Sequence, residues 1–278
     1  MIGRSIQRVA AAIAIAAAGG CAPGPRPGPG PARPASALDE ARRYECRRAP
    51  SPIEVDGRLD DAAWAGAPWS DPFVDIEGSR KPAPRYETRM KMLWDDAYLY
   101  VAARMEEPHV WGVLAERDAV VWHDNDFEIF IDPDGDRRAY YEVEVNALGT
   151  IFDLFLVRTY DDGGPAVHGW DFLGMRHAVH VDGTLNDPSD TDAGWSVEFA
   201  LPWTTLAEHA HRPSPPRPGD WWRLNFSRVE WRHVIDEEGY ARLPDAPEDN
   251  WVWSPQGVID LHKPEFWGHV EFVGDEGD

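Results

Sequence analysis

Cysteine is nearly absent. The 278 residues contain two, Cys21 and Cys46, too few for a disulfide framework or a cysteine-rich metal site. Positive charge is also scarce: 27 Lys and Arg stand against 49 Asp and Glu, a net charge of −22. Such a chain repels nucleic acid and anionic membrane surfaces, and suits neutral ligands or cations. No zinc-protease helix motif, Cys-x-x-Cys pair, Walker loop, dinucleotide glycine fingerprint or Gly-x-Ser-x-Gly elbow occurs. Helical periodicity is rare. The one long apolar run, Val9 to Ala18, is too short to span a bilayer.

That run has a purpose of its own. Arg4 and Arg8 precede it and Gly19-Gly20-Cys21 follows, which reads as a secretory signal over residues 1–21. It resembles a bacterial lipoprotein signal, with Cys21 as the lipidated residue. Residues 22–43 read as a tether, because the prolines at 23, 25, 27, 29, 31 and 34 alternate with Gly, Ala and Arg and cannot build a core. The expected location is the bacterial cell envelope, facing the periplasm or the cell surface, with membrane contact only through the lipid. Residues 44–278 form the folded domain, large enough for a substantial core.

What the domain has is two-fold periodicity. Tyr86–Trp94 and Tyr98–Met105 alternate around the Asp95-Asp96 turn as a hairpin. Asp126–Ile131 and Tyr141–Asn146 alternate around Asp132-Pro133-Asp134-Gly135-Asp136, with the Asp-Gly signature of a tight turn. Further strands fit Thr150–Arg158, Trp195–Leu201, Trp221–Trp231 and His269–Val273. Short helices fit Asp60–Ala65 and Pro202–Glu208, and the proline-rich stretch Arg212–Asp220 fits a surface loop. The expected fold is all-β: an antiparallel, jelly-roll-like β-sandwich with one or two short helices. Glu128, Glu142, Glu144, Asn146, Arg223, Asn225 and Ser227 share one polar face. Alternation leaves two readings open, a solvated outer face or a curved sheet that holds a ligand.

Fourteen tryptophans stand out in this acidic setting. Flat aromatic faces beside carboxylates and amides suit sugars, which show C–H groups on their ring faces and hydroxyls at the edge; most such rings nevertheless serve the core. The turn aspartates Asp132, Asp134 and Asp136 offer oxygens to a calcium ion or simply form an acidic turn. The ten histidines show no ligand spacing. With so many carboxylates, a glycosidase pair can be drawn anywhere and carries little weight.

Ile53–Trp64, Leu93–Val101, Trp122–Asp136, Trp195–Trp203, Trp253-Ser254-Pro255 and Pro264–Gly268 together resemble the family 9 carbohydrate-binding modules, relatives of DOMON-like β-sandwiches. The resemblance spans about residues 52–273. It implies a non-catalytic sugar-binding sandwich that captures saccharides during breakdown of plant-wall polysaccharide, with structural calcium, no organic cofactor, and polysaccharide-degrading enzymes as partners. Carried over by position, Trp122 matches a clasping ring, and Glu128, Glu107 and Asn146 match polar sugar contacts. Glu144 stands where better-known members place arginine. The second clasping ring has no clear counterpart: Leu261 lies near its position, with Trp251, Trp253 and Trp111 as substitutes from nearby loops. Trp64, Trp94, Trp195, Trp203 and Trp267 are assigned to the core. The rival readings are a glycoside hydrolase acting on O-glycosyl compounds, and a haem-binding redox sandwich drawing on Met90, Met92, Met105 and several of the histidines.

Overall fold

A computed structural model describes residues 41–237 and 239–274. The signal, Cys21 and nearly all of the tether therefore lie outside the described residues. The strands are β1 (Arg43–Arg48), β2 (Val74–Asp75), β3 (Thr88–Trp94), β4 (Tyr98–Glu106), β5 (Asp126–Asp132), β6 (Arg138–Asn146), β7 (Ile151–Arg158), β8 (Ala166–Val167), β9 (Arg176–Asp182), β10 (Gly194–Pro202), β11 (Trp221–Glu230), β12 (His233–Asp236), β13 (Gly239–Arg242), β14 (Asp249–Val252) and β15 (Gly268–Val273).

One long sheet runs β8-β7-β6-β5-β11-β15-β1-β3-β4-β10-β9 and curls on itself, so that its two halves face each other as the layers of a sandwich. β14 pairs with β11 and β2, and β12–β13 forms a separate hairpin. The alternating residues meet between the layers as expected. Met90, Met92, Val101 and Met105 come from one half, and Phe127, Ile129, Val143 and Phe226 from the other. Phe127 packs on Phe199 across the sandwich, with ring centroids 6.5 Å apart. Burying this apolar set is the main driving force for closure.

All eight expected strands form. The antiparallel expectation needs one amendment: β1 pairs in parallel with both β15 and β3, inserted where the sheet turns from one layer to the other. No turn signature marks such an insertion, because both of its partners are distant in the chain. The expected helices shrink to a 3-10 turn at Ala62–Gly66 and a single α-helical turn, α1 (Trp203–Leu206), with Pro202 at the cap just before it. Neither stretch is long enough to sustain a helix apart from the sheet it packs on.

The two outer faces of the sandwich are covered differently. Over β3, β4 and β10 lie Ile53, Ala63 and Trp64, which pack on Leu93, Tyr100, Ala102 and Ala200. The cover sits so close that Gly57, at φ +85°, has no room for a side chain: a Cβ there would lie 2.7 Å from the His180 nitrogen. Over β5, β6 and β7 lie Val121, Leu261 and Trp267, which pack on Phe130, Tyr140, Phe152 and Leu154. The polar residues of the sequence sit beside this second cluster.

Candidate functional site

Alternation along β5 sends Asp126, Glu128 and Phe130 to the outer face, and along β6 it sends Tyr140, Glu142, Glu144 and Asn146 there. Register then pairs Glu128 with Glu144, Phe130 with Glu142 and Asp126 with Asn146. On the other side of β5, Ser227 of β11 faces Glu128. Four carboxylates thus share one small area, and Asp126, Glu128, Glu142 and Glu144 are all buried. The solvated reading of this face is incorrect. The loops that cover it are not foreshadowed by strand alternation.

Burial dominates the electrostatics. It lifts the Glu128 carboxyl to about 7, and the Ser227 hydroxyl lowers this somewhat although its geometry falls short of a hydrogen bond. Asp126, Glu142 and Glu144 are pushed well above the usual carboxylate range, by burial first and then by repulsion from Glu128. The basic group beside Glu142 is a poor counter-charge. His262 Nε2 lies 4.0 Å from Glu142, but burial lowers the imidazole to about 4 and keeps it neutral. Arg228 bonds Glu107 at 2.7 Å and Glu230 at 2.8 Å, and Arg117 bonds Asp153 at 2.6 Å.

The five residues read as sugar contacts divide into three groups. Trp122, on the 3-10 turn Val121–His123, is 38% exposed, and its backbone N–H donates to Glu144 Oε2 at 3.1 Å. Glu128 and Glu144 form the buried floor beside it. Glu107 and Asn146 are engaged within the protein. Glu107 Oε2 accepts from Arg228 and from Asn125 Nδ2 (3.2 Å). Asn146 donates to the Leu114 carbonyl and Asp124 Oδ2 at 2.8 and 2.9 Å, while its own oxygen accepts from Leu148 and Thr150. Both hold the loop that carries Trp122.

Another exposed ring lies within electrostatic reach of the same carboxylates, where the sequence reading found none. Tyr160 is 50% exposed and stacks edge-on against His262 at 4.6 Å. Burial and the nearby Glu142 and Glu144 carboxylates raise its hydroxyl pKa. Trp122 thus bonds Glu144 directly, and Tyr160 lies within electrostatic reach of it. Tyr160 sits in the turn Thr159–Gly164, whose closing Gly163-Gly164 was the available signal. Trp251, Trp253 and Trp111 are buried and offer no face, and Leu261 packs into the cluster under the loop. Trp64, Trp94, Trp195, Trp203 and Trp267 lie in the interior as expected. Met90, Met92 and Met105 are all in the central core, away from any surface a haem would need.

The Asp132 turn is a separate place. Carboxylate oxygens of Asp132, Asp134 and Asp136 converge within 4.8 Å. Each also serves the turn itself: Asp132 accepts from the backbone of Gly135 and Arg137, Asp134 from Asp136, and Asp136 from Arg138. Burial lifts Asp132 to about 7.

Fold and site define a β-sandwich module with an exposed aromatic ring over a carboxylate floor. The carbohydrate family 9 binding domain-like profile matches residues 55–215, more than half of the chain, and the chain belongs to that family. It is 26% identical over 152 residues to endo-1,4-beta-xylanase A of Thermoanaerobacterium saccharolyticum, covering 55% of this chain and 11% of the xylanase. It is 28% identical over 116 residues to exoglucanase XynX of Acetivibrio thermocellus, covering 42% of this chain and 9% of that enzyme. The chain thus spans about a tenth of these curated relatives. In structure it is similar to a Bacteroides uniformis protein assigned to carbohydrate binding, at TM-score 0.61 and 18% identity, over 84% of this chain and 99% of that one. It is also similar to a family 9 carbohydrate-binding module of Caldicellulosiruptor kristjanssonii in complex with cellotriose, at TM-score 0.55 and 17% identity, over 85% and 97%. The structural likenesses establish the fold.

Proposed function

We propose that this chain is a non-catalytic carbohydrate-binding protein that takes one sugar residue against the face of Trp122. The observation that carries this reading is the half-exposed Trp122 ring, fixed through its backbone to Glu144 at the edge of a buried carboxylate floor. A pyranose ring gains dispersion and hydrophobic stabilisation from the indole face. Tyr160, stacked on His262 and within electrostatic reach of Glu142 and Glu144, offers a second aromatic surface. Relatives that are xylanases and a glucanase, and a neighbour solved with cellotriose, support plant-wall oligosaccharides as the ligand class. A signal ending at Cys21, followed by a stiff tether, supports a lipid-anchored position on the bacterial envelope. Weak single-ring binding there gains from avidity on a polymer. The converging oxygens of Asp132, Asp134 and Asp136 support a structural calcium at that turn.

Calorimetry with xylo-, cello- and manno-oligosaccharides tests the reading. Dissociation constants in the micromolar to millimolar range are expected, with binding weakened at least tenfold by Trp122→Ala. Absence of heat with every sugar, or unchanged heat in the variant, overturns it.

A further inference from the structure

Three tryptophans are more than a third exposed: Trp122, and also Trp69 and Trp221, at 39% and 37%. The last two line one groove of about 800 Å³ on the outer side of β1 and β15. It is distinct from the Trp122 site. Trp221 stands at the start of β11, about 20 Å along that strand from Ser227, the partner of Glu128, at the usual rise per residue.

Local structure explains why the groove exists. β1 pairs with β3 only at Arg47 and Arg48. Ahead of them the Tyr44 hydroxyl bridges the gap: it accepts from the Met92 N–H at 2.9 Å and donates to the Pro68 carbonyl at 2.7 Å. Ser70 fixes the same loop to β3, its N–H donating to the Met90 carbonyl at 2.8 Å and its Oγ accepting from the Met90 N–H at 3.1 Å. Trp69 lies between these two anchors, with the Lys91 ammonium 4.5 Å from its ring. Trp221 is held as firmly. The Arg212 guanidinium lies 5.0 Å from its ring and donates to its carbonyl at 3.0 Å, and the His269 ring is 4.9 Å away. Two large apolar rings are thus held in water by a fixed surround, an arrangement that marks a contact surface.

The floor between the rings is polar. Alternation turns Glu45 and Arg47 of β1 and His269 and Glu271 of β15 outward. Register then sets Trp221, Glu271 and Glu45 in one row across β11, β15 and β1. Trp69 stands over Lys91 of β3, the next strand in the sheet. From β11 to β3 is about 14 Å at the usual strand spacing, a span that several linked pyranose rings cover and one sugar does not. Charge narrows the ligand further. Arg43 and Arg47 are matched by Glu45, Asp71 and Glu271, and Arg47 lies 3.6 Å from Glu45, so the groove has no positive surplus with which to hold an acidic polymer. Guanidiniums donate to hydroxyls and carboxylates accept from them. A neutral chain with apolar ring faces and hydroxyl edges matches the indoles and the polar row together.

We propose that this groove is a second saccharide site, which takes an extended run of neutral pyranose rings with Trp69 and Trp221 as its platforms. The ligand class, though not the site, rests on the sugar-binding function proposed for Trp122. With two separate sites, one chain grips a polysaccharide at two points.

The test follows the indole N–H signals of the ¹⁵N-labelled chain by NMR during titration with xylohexaose and with cellohexaose. The two signals are assigned by their loss in Trp69→Phe and Trp221→Phe. They are expected to move together along one binding curve with at least one hexaose, and to keep that curve within about twofold in Trp122→Ala. Xylose and glucose are expected to leave both in place, and Trp69→Ala to weaken the Trp221 response at least fivefold. Signals that stay in place with both hexaoses overturn the proposal, as does an equal response to the monosaccharides or a response that vanishes in Trp122→Ala. Movement with protein concentration alone puts a second copy of the chain in the groove and also overturns it. If Trp122 responds and the groove does not, the groove fails and the Trp122 reading stands; if only the groove responds, the reverse holds. Should Trp69→Ala fail to fold, the unsubstituted chain and Trp122→Ala decide the matter.

Discussion

Glu198 of β10 and Glu128 of β5 lie on opposite outer faces of the sandwich and are equally removed from water. Their surroundings differ. Glu198 receives Trp64 Nε1 at 2.6 Å on one oxygen, and the backbone N–H groups of Asp56 and Gly57 at 2.9 and 2.7 Å on the other. Burial raises its pKa, and these three donors restrain the rise. Lys91, with its Nζ on the Trp64 carbonyl, adds a cation nearby. Glu128 has an unpartnered oxygen and carboxylates for neighbours. A buried carboxylate is therefore not by itself the mark of a ligand site. The distinction lies in whether the protein has supplied the donors.

Breaking the satisfied side gives the largest expected effect. Glu198→Ala strands two buried donors and one part-buried donor and releases the 53–67 cover, at a cost of about 3–5 kcal/mol in urea unfolding. A loss under about 1 kcal/mol would remove the contrast. Next comes the titration of His262, which faces Tyr140, Tyr160, Phe130 and Glu142. Its folded pKa of about 4 lies below the unfolded value, so the unfolded chain takes the proton first as pH falls. The stability owed to the neutral ring is complete above about pH 6.5 and lost between there and pH 4, amounting to about 2–3 kcal/mol at pH 4.5. Unfolding of His262→Gln across that interval is expected to show this part of the acid slope removed. The smallest effect belongs to the unsatisfied side. Glu144→Gln changes stability by less than about 1 kcal/mol, or raises it, since it takes one carboxyl out of a mutually repelling buried group. A loss there as large as that of Glu198→Ala would make the two carboxylates equivalent.

Strand alternation made the sandwich readable because each inward residue, such as Met90, Ile129 or Val143, has an outward neighbour of different character. It placed Glu128, Glu142 and Glu144 on one face correctly. It did not say whether that face is wet, because the answer depends on Val121, Leu261 and Trp267, which arrive from loops with no period of their own. The same limit hid Tyr160, which meets His262 only once the chain has folded. Glu107 and Asn146 show the reverse. The resemblance put them forward as sugar contacts, and the structure shows that they also have partners within the protein, such as Arg228 and Asp124, unrecognisable as such in the chain. Parallel insertion of β1 was equally hidden, since its register with β15 joins residues more than 200 positions apart.

That insertion has a mechanical consequence. Arg43 aligns with His269 and Arg47 with Val273, so the start of β1 and the end of β15 point to opposite ends of the same parallel pair. Tension applied between residues 43 and 273 slides the two strands past each other, loading all their connecting hydrogen bonds at once instead of opening them one by one. Forced unfolding is governed by the rate of crossing that barrier. The place where the sheet turns between its layers is thus also a shear clamp, positioned to keep the sandwich closed under a pull along the chain.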